Sequence, residues 1–357
     1  MKKSLIALAV LTASGAAMAQ SSVTLYGVAD AGVTYLNGAD NWSGVTSGNN
    51  LTSRLGFRGV EDLGGGLKAN FVIEGGFNLD NGDGASGYAG AKAGEGFQFK
   101  RRSTVGLSGG FGEVRMGREL TAAYNATARY DVFGSVGIGQ SRLWADGGVV
   151  DASANATAVT TNQRISNALT YVSPNFSGFK VGLNYGFGET TNGNSDSSYM
   201  GAGLMYDNGP LSLGLGLERL NNGANSVAVS DIDAWSLGGS YDFGVAKLLA
   251  GYRESKVDRA TGENKRLGYY VAATAPVGAG TVRVSYNRYE NELANLKEKA
   301  DQFAIGYVYG LSKRTSVYGT YAYIKNKDGA NLYTLGSGGL KNNGSQQGMQ
   351  VGITHTF

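Results

Sequence analysis

The chain has 357 residues, of which 58 are glycine, 3 are proline and none is cysteine. Its formal net charge is only +3, so the overall balance gives no reason to expect a nucleic acid or another polyanion as a partner. Without cysteine, disulfides play no part in stability. A glycine content far above the usual share of about 7% disfavours helices and suits a chain of many strands and turns.

The first 19 residues have the pattern of a secretory signal peptide. Lys2 and Lys3 precede a short apolar run at residues 5–11, and Ala17-Met18-Ala19 forms a small-x-small cleavage site. The run is shorter than the roughly 20 residues of a membrane-spanning helix. We therefore expect residues 1–19 to be removed and the mature chain, residues 20–357, to be exported with 31 − 2 = 29 basic and 28 acidic side chains.

Beyond residue 19 no apolar stretch reaches 18 residues, which excludes helical membrane spans. Short segments instead alternate apolar and polar residues, as at 179–187 and 211–217, and a period of two indicates β-strands with one apolar face. Sixteen such segments are predicted, at residues 23–36, 52–62, 67–79, 97–109, 112–118, 164–174, 179–188, 199–208, 211–221, 231–242, 246–254, 266–275, 281–290, 300–310, 315–324 and 348–357.

The connections between these segments alternate in length. Tight turns such as EDLGGG and DNGP follow the even-numbered segments, and Pro174, Pro210 and Pro276 all lie in such turns, where a fixed φ angle is favourable. Long polar connections follow the odd-numbered segments, and the longest spans about residues 119–163. This alternation predicts an antiparallel up-and-down arrangement with both chain ends on the short-turn side.

The last segment, QQGMQVGITHTF, ends on the aromatic residue Phe357. An open sheet would leave two edges of unpaired backbone groups, which are very costly in hydrocarbon, and a closed barrel has none. We therefore predict an all-β fold, a closed antiparallel 16-stranded transmembrane barrel with its terminal aromatic ring in the interfacial girdle. The alternative, a soluble β-sandwich, would not require connections that alternate between short and long along the whole chain.

Four blocks of sequence carry a resemblance to a known family. They are SSVTLYGVADAGVTY, TSRLGFRGVEDLGGGLKA, RRSTVGLSGGFGEVRMGR and YDVFGS. With the C-terminal phenylalanine, they resemble the general diffusion porins of Gram-negative bacteria, especially those of beta-proteobacteria, over essentially the whole mature chain. The resemblance implies a homotrimer in the outer membrane, surrounded by lipid and lipopolysaccharide, with a long third extracellular loop folded into the lumen. It also implies that the outer-membrane assembly machinery reads Phe357 as a signal.

The alternation of apolar and polar residues assigns charged side chains to the lumen in neighbouring strands. With the apolar residues facing lipid, Arg54, Arg58, Glu74 and Arg102 face the lumen. Arg101 faces outward by the same parity, and we expect it to reach the interface or a neighbouring subunit.

Arg118 faces outward by parity, but it follows Gly117 at a strand end where a bulge is expected. Porins of this type set a ladder of arginines on the wall against acidic groups of the inserted loop. The resemblance implies this role for Arg54, Arg102 and Arg118, with Arg58 nearby.

The acidic candidates at the constriction are Asp131 in the long connection and Glu74 on the wall. The connection reads DVFG where the enterobacterial relatives have PEFG, so the acid at the narrowest point stays open. Arg129, Arg142 and Asp146 are weaker candidates for the same region.

The expected function is a water-filled channel for passive diffusion of small hydrophilic solutes and inorganic ions. Two charges about 8 Å apart at an effective dielectric near 20 interact by about 2 kcal/mol, and salt weakens this further, so we expect a moderate anion preference.

The only histidine, His355, is two residues from the end, and no GxSxG motif is present. We therefore expect no enzymatic activity, no cofactor and no metal site. A sugar-specific channel is an alternative, although most Tyr and Phe residues fall on the outward parity. A structural or adhesive barrel would not need charges on adjacent inner walls.

Overall fold

The computed structural model describes residues 22–84, 96–145, 163–188, 198–221, 231–257, 262–293, 296–331, 333–336 and 340–357. The expected signal peptide, residues 1–19, and residues 146–162 of the long connection lie outside the described residues. No helix in the described ranges is long and apolar enough to cross a membrane.

The described residues form one sheet of seventeen β-strands, and each strand pairing is antiparallel. The strands are β1 (Ser22–Asn37), β2 (Asn41–Ser47), β3 (Arg54–Gly64), β4 (Leu67–Gly76), β5 (Arg102–Gly109), β6 (Gly112–Leu120), β7 (Arg164–Val172), β8 (Phe179–Gly186), β9 (Tyr199–Asn208), β10 (Leu211–Asn221), β11 (Asp231–Asp242), β12 (Lys247–Val257), β13 (Asn264–Val277), β14 (Gly280–Leu293), β15 (Leu296–Gly310), β16 (Thr315–Lys327) and β17 (Ser345–Thr356). Sixteen of them surround the barrel, and β2 is an additional short strand on β1. The predicted closed antiparallel 16-stranded barrel is confirmed.

The barrel closes between its first and last strands. Val28 lies opposite Thr356 and Asn37 lies opposite Gln347 in the β1–β17 register. The other edge of β1 is shared, because its first half pairs with β3 and its second half with β2. The sequence does not predict β2, since its apolar residues Trp42 and Val45 do not lie on one period-two face.

The two faces of the sheet differ as expected for a wall between lipid and water. Large apolar side chains such as Val33, Val105, Leu213 and Val351 are exposed on the outside. Polar or small residues alternate with them and face inward, for example the buried Thr34, Thr104, Ser212 and Gln350. An apolar band outside and a polar lumen inside characterise transmembrane barrels.

Residues 121–145, here called the inserted loop, run inside the barrel after β6. They contain helix α1 (Ala122–Thr127), a 3₁₀ turn (Ala128–Tyr130) and helix α2 (Arg142–Ala145). Thr121 caps α1, because its hydroxyl accepts a hydrogen bond from the N–H of Tyr124 at 3.2 Å.

Glycines on the inner wall make room for the inserted loop. A Cβ atom at Gly203 or Gly214 would collide with the backbone carbonyl of Ala122 or Ala126. At other inner glycines a Cβ atom would collide with a side chain of the loop. We call the glycines that make room for the loop the glycine seat: Gly203, Gly214, Gly238, Gly251 and Gly268. Tyr130 and Trp144 of the loop pack over Gly238 and Gly251 of the seat. Phe133 and Ile138 pack over Gly306 and Gly348 on other strands, and all four side chains are buried in the core cluster.

Candidate pore constriction

Inner-wall side chains hold the inserted loop through hydrogen bonds to its backbone. The Gln350 Oε1 accepts from the N–H of Ile138 at 3.0 Å, and Gln302 Nε2 donates to the Ile138 carbonyl at 3.2 Å. The Tyr270 hydroxyl accepts from the N–H of Val132 at 2.8 Å. Backbone groups of a segment without its own sheet or long helix are thus satisfied by the wall, which fixes the loop across the lumen.

Arg283 on β14 clamps the loop from a second direction. One Nη donates to the Val132 carbonyl at 3.2 Å, and the other donates to Asn50 Oδ1 at 2.9 Å. The guanidinium also lies 4.9 Å from the centroid of the Phe133 ring, within cation–π range. Arg283 therefore joins the inserted loop to the segment between β2 and β3.

Asp131 does not line the open lumen, which corrects the expectation that it opposes the arginines there. Only 6% of its surface is exposed, and its carboxylate accepts hydrogen bonds from the N–H groups of Phe133, Ser135 and Ser141, each at 2.9 Å. Burial raises the pKa of Asp131 to about 6, against the opposing effects of these three bonds and of Arg283. Its role is to organise the backbone of the loop.

Glu74 on β4 is the acid at the centre of the arginine-rich wall. The Arg101 Nε lies 2.7 Å from Oε1, the Tyr26 hydroxyl donates to Oε2 at 3.0 Å, and the Arg54 Nε lies 3.8 Å from Oε2. This corrects the expectation that Arg101 faces outward, because it lies just before β5 and its backbone N–H bonds the Glu74 carbonyl at 3.1 Å. The irregular backbone there breaks the parity.

Arg102 and Arg58 occupy lumen positions beside this acid. Arg102 lies directly opposite Glu74 in the register, yet its Nε donates to Thr104 Oγ1 at 3.1 Å. Arg58 is exposed, and its guanidinium carbon lies 5.4 Å from the centroid of the Tyr26 ring. We define Arg54, Arg58, Arg101 and Arg102 as the arginine wall.

Arg118 is not part of the arginine wall, which corrects the expectation that a bulge on β6 turns it inward. The register shift between Gly117 and Glu119 places the extra residue on β7, where Asn167 has a φ of +53°. Arg118 therefore keeps the outward parity of its strand. Its guanidinium donates to the Lys100 carbonyl at 2.6 Å and to Ser166 Oγ at 2.8 Å.

The weaker candidates have other contacts. Arg129 of the inserted loop bonds Asp207 on β9, with an Nη–Oδ distance of 3.0 Å, and Arg142 donates to the carbonyl of Thr334. Asp146 lies outside the described residues.

Two residues of this site, Tyr26 and Arg283, are not among the constriction candidates predicted from the sequence. Those candidates all lie on or next to β3 to β6 or in the connection that follows β6. Tyr26 shares the lumen face of β1 with polar residues, and Arg283 lies on a strand far along the chain from the inserted loop. The pairing of β1 with β3 and of β3 with β4 brings Tyr26 to Glu74 across Gly56. The folding of the inserted loop into the barrel brings Val132 to Arg283.

A barrel with an apolar exterior, a charged lumen and a loop folded across that lumen defines a membrane diffusion channel. The chain belongs to the family of Gram-negative porins, whose model matches residues 4–329. It is accordingly an outer-membrane channel for passive diffusion.

Individual relatives agree with this membership. The chain is 45% identical over 372 residues to outer membrane porin protein 32 of Delftia acidovorans, with 100% of both chains covered. An outer membrane porin protein of Bordetella pertussis is 33% identical over 385 residues, covering 91% of this chain and 95% of the relative.

Solved structures are similar as well. An anion-selective porin from Comamonas acidovorans has a TM-score of 0.82 and 41% identity, covering 95% of this chain and 100% of that one. The outer-membrane protein OmpT of Vibrio cholerae, in its trimer form, has a TM-score of 0.67 at 17% identity over 94% of this chain and 99% of that one. This second structure shares the fold.

Proposed function

We propose that this porin passes small hydrophilic solutes with a moderate preference for anions, and that Arg54, Arg58 and Arg102 of the arginine wall face the permeating ions. One observation carries the proposal: Arg54, Arg101 and Arg102 surround the single carboxylate of Glu74. With Asp131 enclosed in the loop, positive charge exceeds negative charge on this stretch of wall. The relative from Comamonas acidovorans, described as anion-selective, supports the same selectivity here.

The expected preference is graded. Two charges about 8 Å apart interact by about 2 kcal/mol at an effective dielectric near 20. A Debye length near 10 Å at 0.1 M salt reduces this in a wide, wet pore, so cations are disfavoured and still pass.

The test is the reversal potential of the purified channel in a planar bilayer under a KCl gradient. The parent should be anion-preferring, and R54S/R102S should shift towards cations, most strongly at low salt where screening is weak. R118S is the matched control, because it removes an arginine from the outward face and should leave the reversal potential unchanged. A double variant with the parent's reversal potential at low salt would refute the role of the arginine wall.

The proposal includes assembly as a homotrimer in the outer membrane, in contact with lipid and lipopolysaccharide, after recognition of Phe357 by the assembly machinery. Small residues on the outward face of β1, namely Ala29 and Ala31, support close packing between subunits. Cross-linking in isolated outer membranes tests the subunit number, and a product no larger than a monomer would contradict it.

A further inference from the structure

We propose that Arg101 is a specificity-determining residue that does not itself meet the permeating ion. It holds the Glu74 carboxylate, and it thereby leaves the guanidinium groups of Arg54 and Arg102 available to anions. This inference rests on the proposed anion preference and identifies the residue that sets its strength.

The distances show which arginine holds the acid. Arg101 bonds Oε1 of Glu74 at 2.7 Å, and the Tyr26 hydroxyl bonds Oε2 at 3.0 Å. The Arg54 Nε is 3.8 Å from Oε2, beyond hydrogen-bonding distance. Both carboxylate oxygens are thus engaged without Arg54.

Burial separates the two arginines further. The Arg101 side chain is 7% exposed, whereas that of Arg54 is 28% exposed. The Arg101 backbone is also fixed to β4 by its N–H bond to the Glu74 carbonyl at 3.1 Å. Arg101 therefore neutralises the acid from within the wall, and Arg54 presents its charge to the lumen.

Arg102 also stays unpaired with Glu74 while Arg101 holds the carboxylate. It lies directly across the strand pair from Glu74, a position where opposite charges attract, yet its Nε bonds Thr104. If Arg101 were lost, Glu74 would lie between two lumen arginines with Oε1 unpaired. A largely buried carboxylate oxygen without a partner is costly, so Glu74 would pair through it with Arg54 or Arg102 and withdraw that charge from the ions.

The effect of removing Arg101 on selectivity should therefore depend on whether Glu74 is present. A simple sum of the charges on the wall would not predict this dependence. Removing Arg101 should lower the anion selectivity in two ways. Its own charge is lost, and Glu74 then pairs with a lumen arginine and withdraws that charge as well. In the E74Q background no carboxylate remains that could pair with a lumen arginine. Removing Arg101 there should lower the anion selectivity only through the loss of its own charge.

The experiment is a double-mutant cycle of R101Q, E74Q and R101Q/E74Q, with the anion-to-cation permeability ratio measured by reversal potential at low salt. R101Q should lower the ratio by about twofold, and E74Q should raise it. R101Q should have a distinctly smaller effect in the E74Q background. R101K, which keeps a cation for Oε1, should restore most of the parent's ratio.

A matched control is R253Q. Arg253 forms an ion pair with Glu218 at 2.5 Å, and its side chain is 12% exposed, so the variant breaks a comparable pair away from Glu74. It removes an inner-wall charge that has no contact with Glu74, so its effect on the permeability ratio should be the same with and without E74Q. Gel mobility before and after heating establishes that each variant is a folded barrel.

Equal effects of R101Q with and without Glu74 would overturn the inference, as would an R101Q channel with the parent's ratio. These results are distinct from a failure of the proposed function, in which the parent itself would show no anion preference or R54S/R102S would leave it unchanged.

Discussion

Phe357 and Gly27 bond each other through both of their backbone groups. The Gly27 N–H donates to the Phe357 carbonyl at 3.0 Å, and the Phe357 N–H donates to the Gly27 carbonyl at 3.1 Å. The aromatic ring covers Gly27 so closely that a Cβ atom there would collide with it. The terminal residue is thus the last rung of the ladder that closes the barrel.

Deleting Phe357 should therefore reduce the yield of folded barrel in the outer membrane. The deletion removes the closing pair of backbone bonds and the ring at the interface. Heat-modifiable mobility on gels measures the yield, and F357Y, which keeps a ring, is the matched control. A yield equal to that of the parent would show that closure does not depend on this residue.

Shortening the inserted loop between Tyr130 and Gly139 should raise the single-channel conductance. This stretch includes Phe133 and Ile138, which are buried against the inner wall, and removing it widens the path for ions. Single-channel recording in a planar bilayer provides the measurement. Equal conductance in the shortened and parent channels would place the narrowest point elsewhere.

Replacing Arg283 by Ala should increase current noise and produce additional conductance levels. The change removes the bonds to the Val132 carbonyl and to Asn50, so the loop would lose its clamp to the β2–β3 segment. R283K keeps the charge but cannot make both bonds in the same planar geometry, and we expect an intermediate record. Quiet single-level currents from R283A would show that the inner-wall hydrogen bonds alone hold the loop.

The stability of the barrel should depend on pH through Asp131. An aspartate in the unfolded chain has a pKa near 3.9, and burial raises the pKa of Asp131 to about 6. The folded state thus binds this proton more tightly, so ionisation costs stability above about pH 6, and the cost is relieved as the pH falls towards 4. The difference amounts to at most about 3 kcal/mol.

Thermal melting of the parent and of D131N in detergent, measured from pH 8 to pH 5, checks this dependence. The parent should gain stability on acidification relative to D131N, which has no carboxyl at this position. Parallel pH profiles for the two proteins would mean that Asp131 does not titrate in this range.

Parity predicted the lumen face wherever the strands are regular. Arg54 and Arg58 flank Leu55 and Phe57, and Arg102 precedes Val105 and Leu107. The apolar residues in these stretches alternate regularly, and a period of two is sufficient there. Arg101 escaped the prediction because it precedes the regular part of β5, where its backbone bonds Glu74.

Arg118 shows that the position of a bulge is harder to predict than its existence. The sequence suggested a bulge at Gly117, and the extra residue lies on the partner strand near Asn167. Which strand of a pair takes the extra residue depends on both strands and on their register. The burial of Asp131 was equally hidden, because it arises from N–H groups up to ten residues away that converge only in the folded loop.

The glycine seat has a consequence for how the channel can change in a population of bacteria. Each of its glycines lies behind the inserted loop, and each is one nucleotide change from alanine. An added methyl group at Gly203 or Gly214 has no space, so the loop must shift away from that wall and into the open path. Solute entry is therefore open to restriction by substitutions that alter no charge and touch no permeating molecule, at positions that a survey of pore-lining residues would pass over.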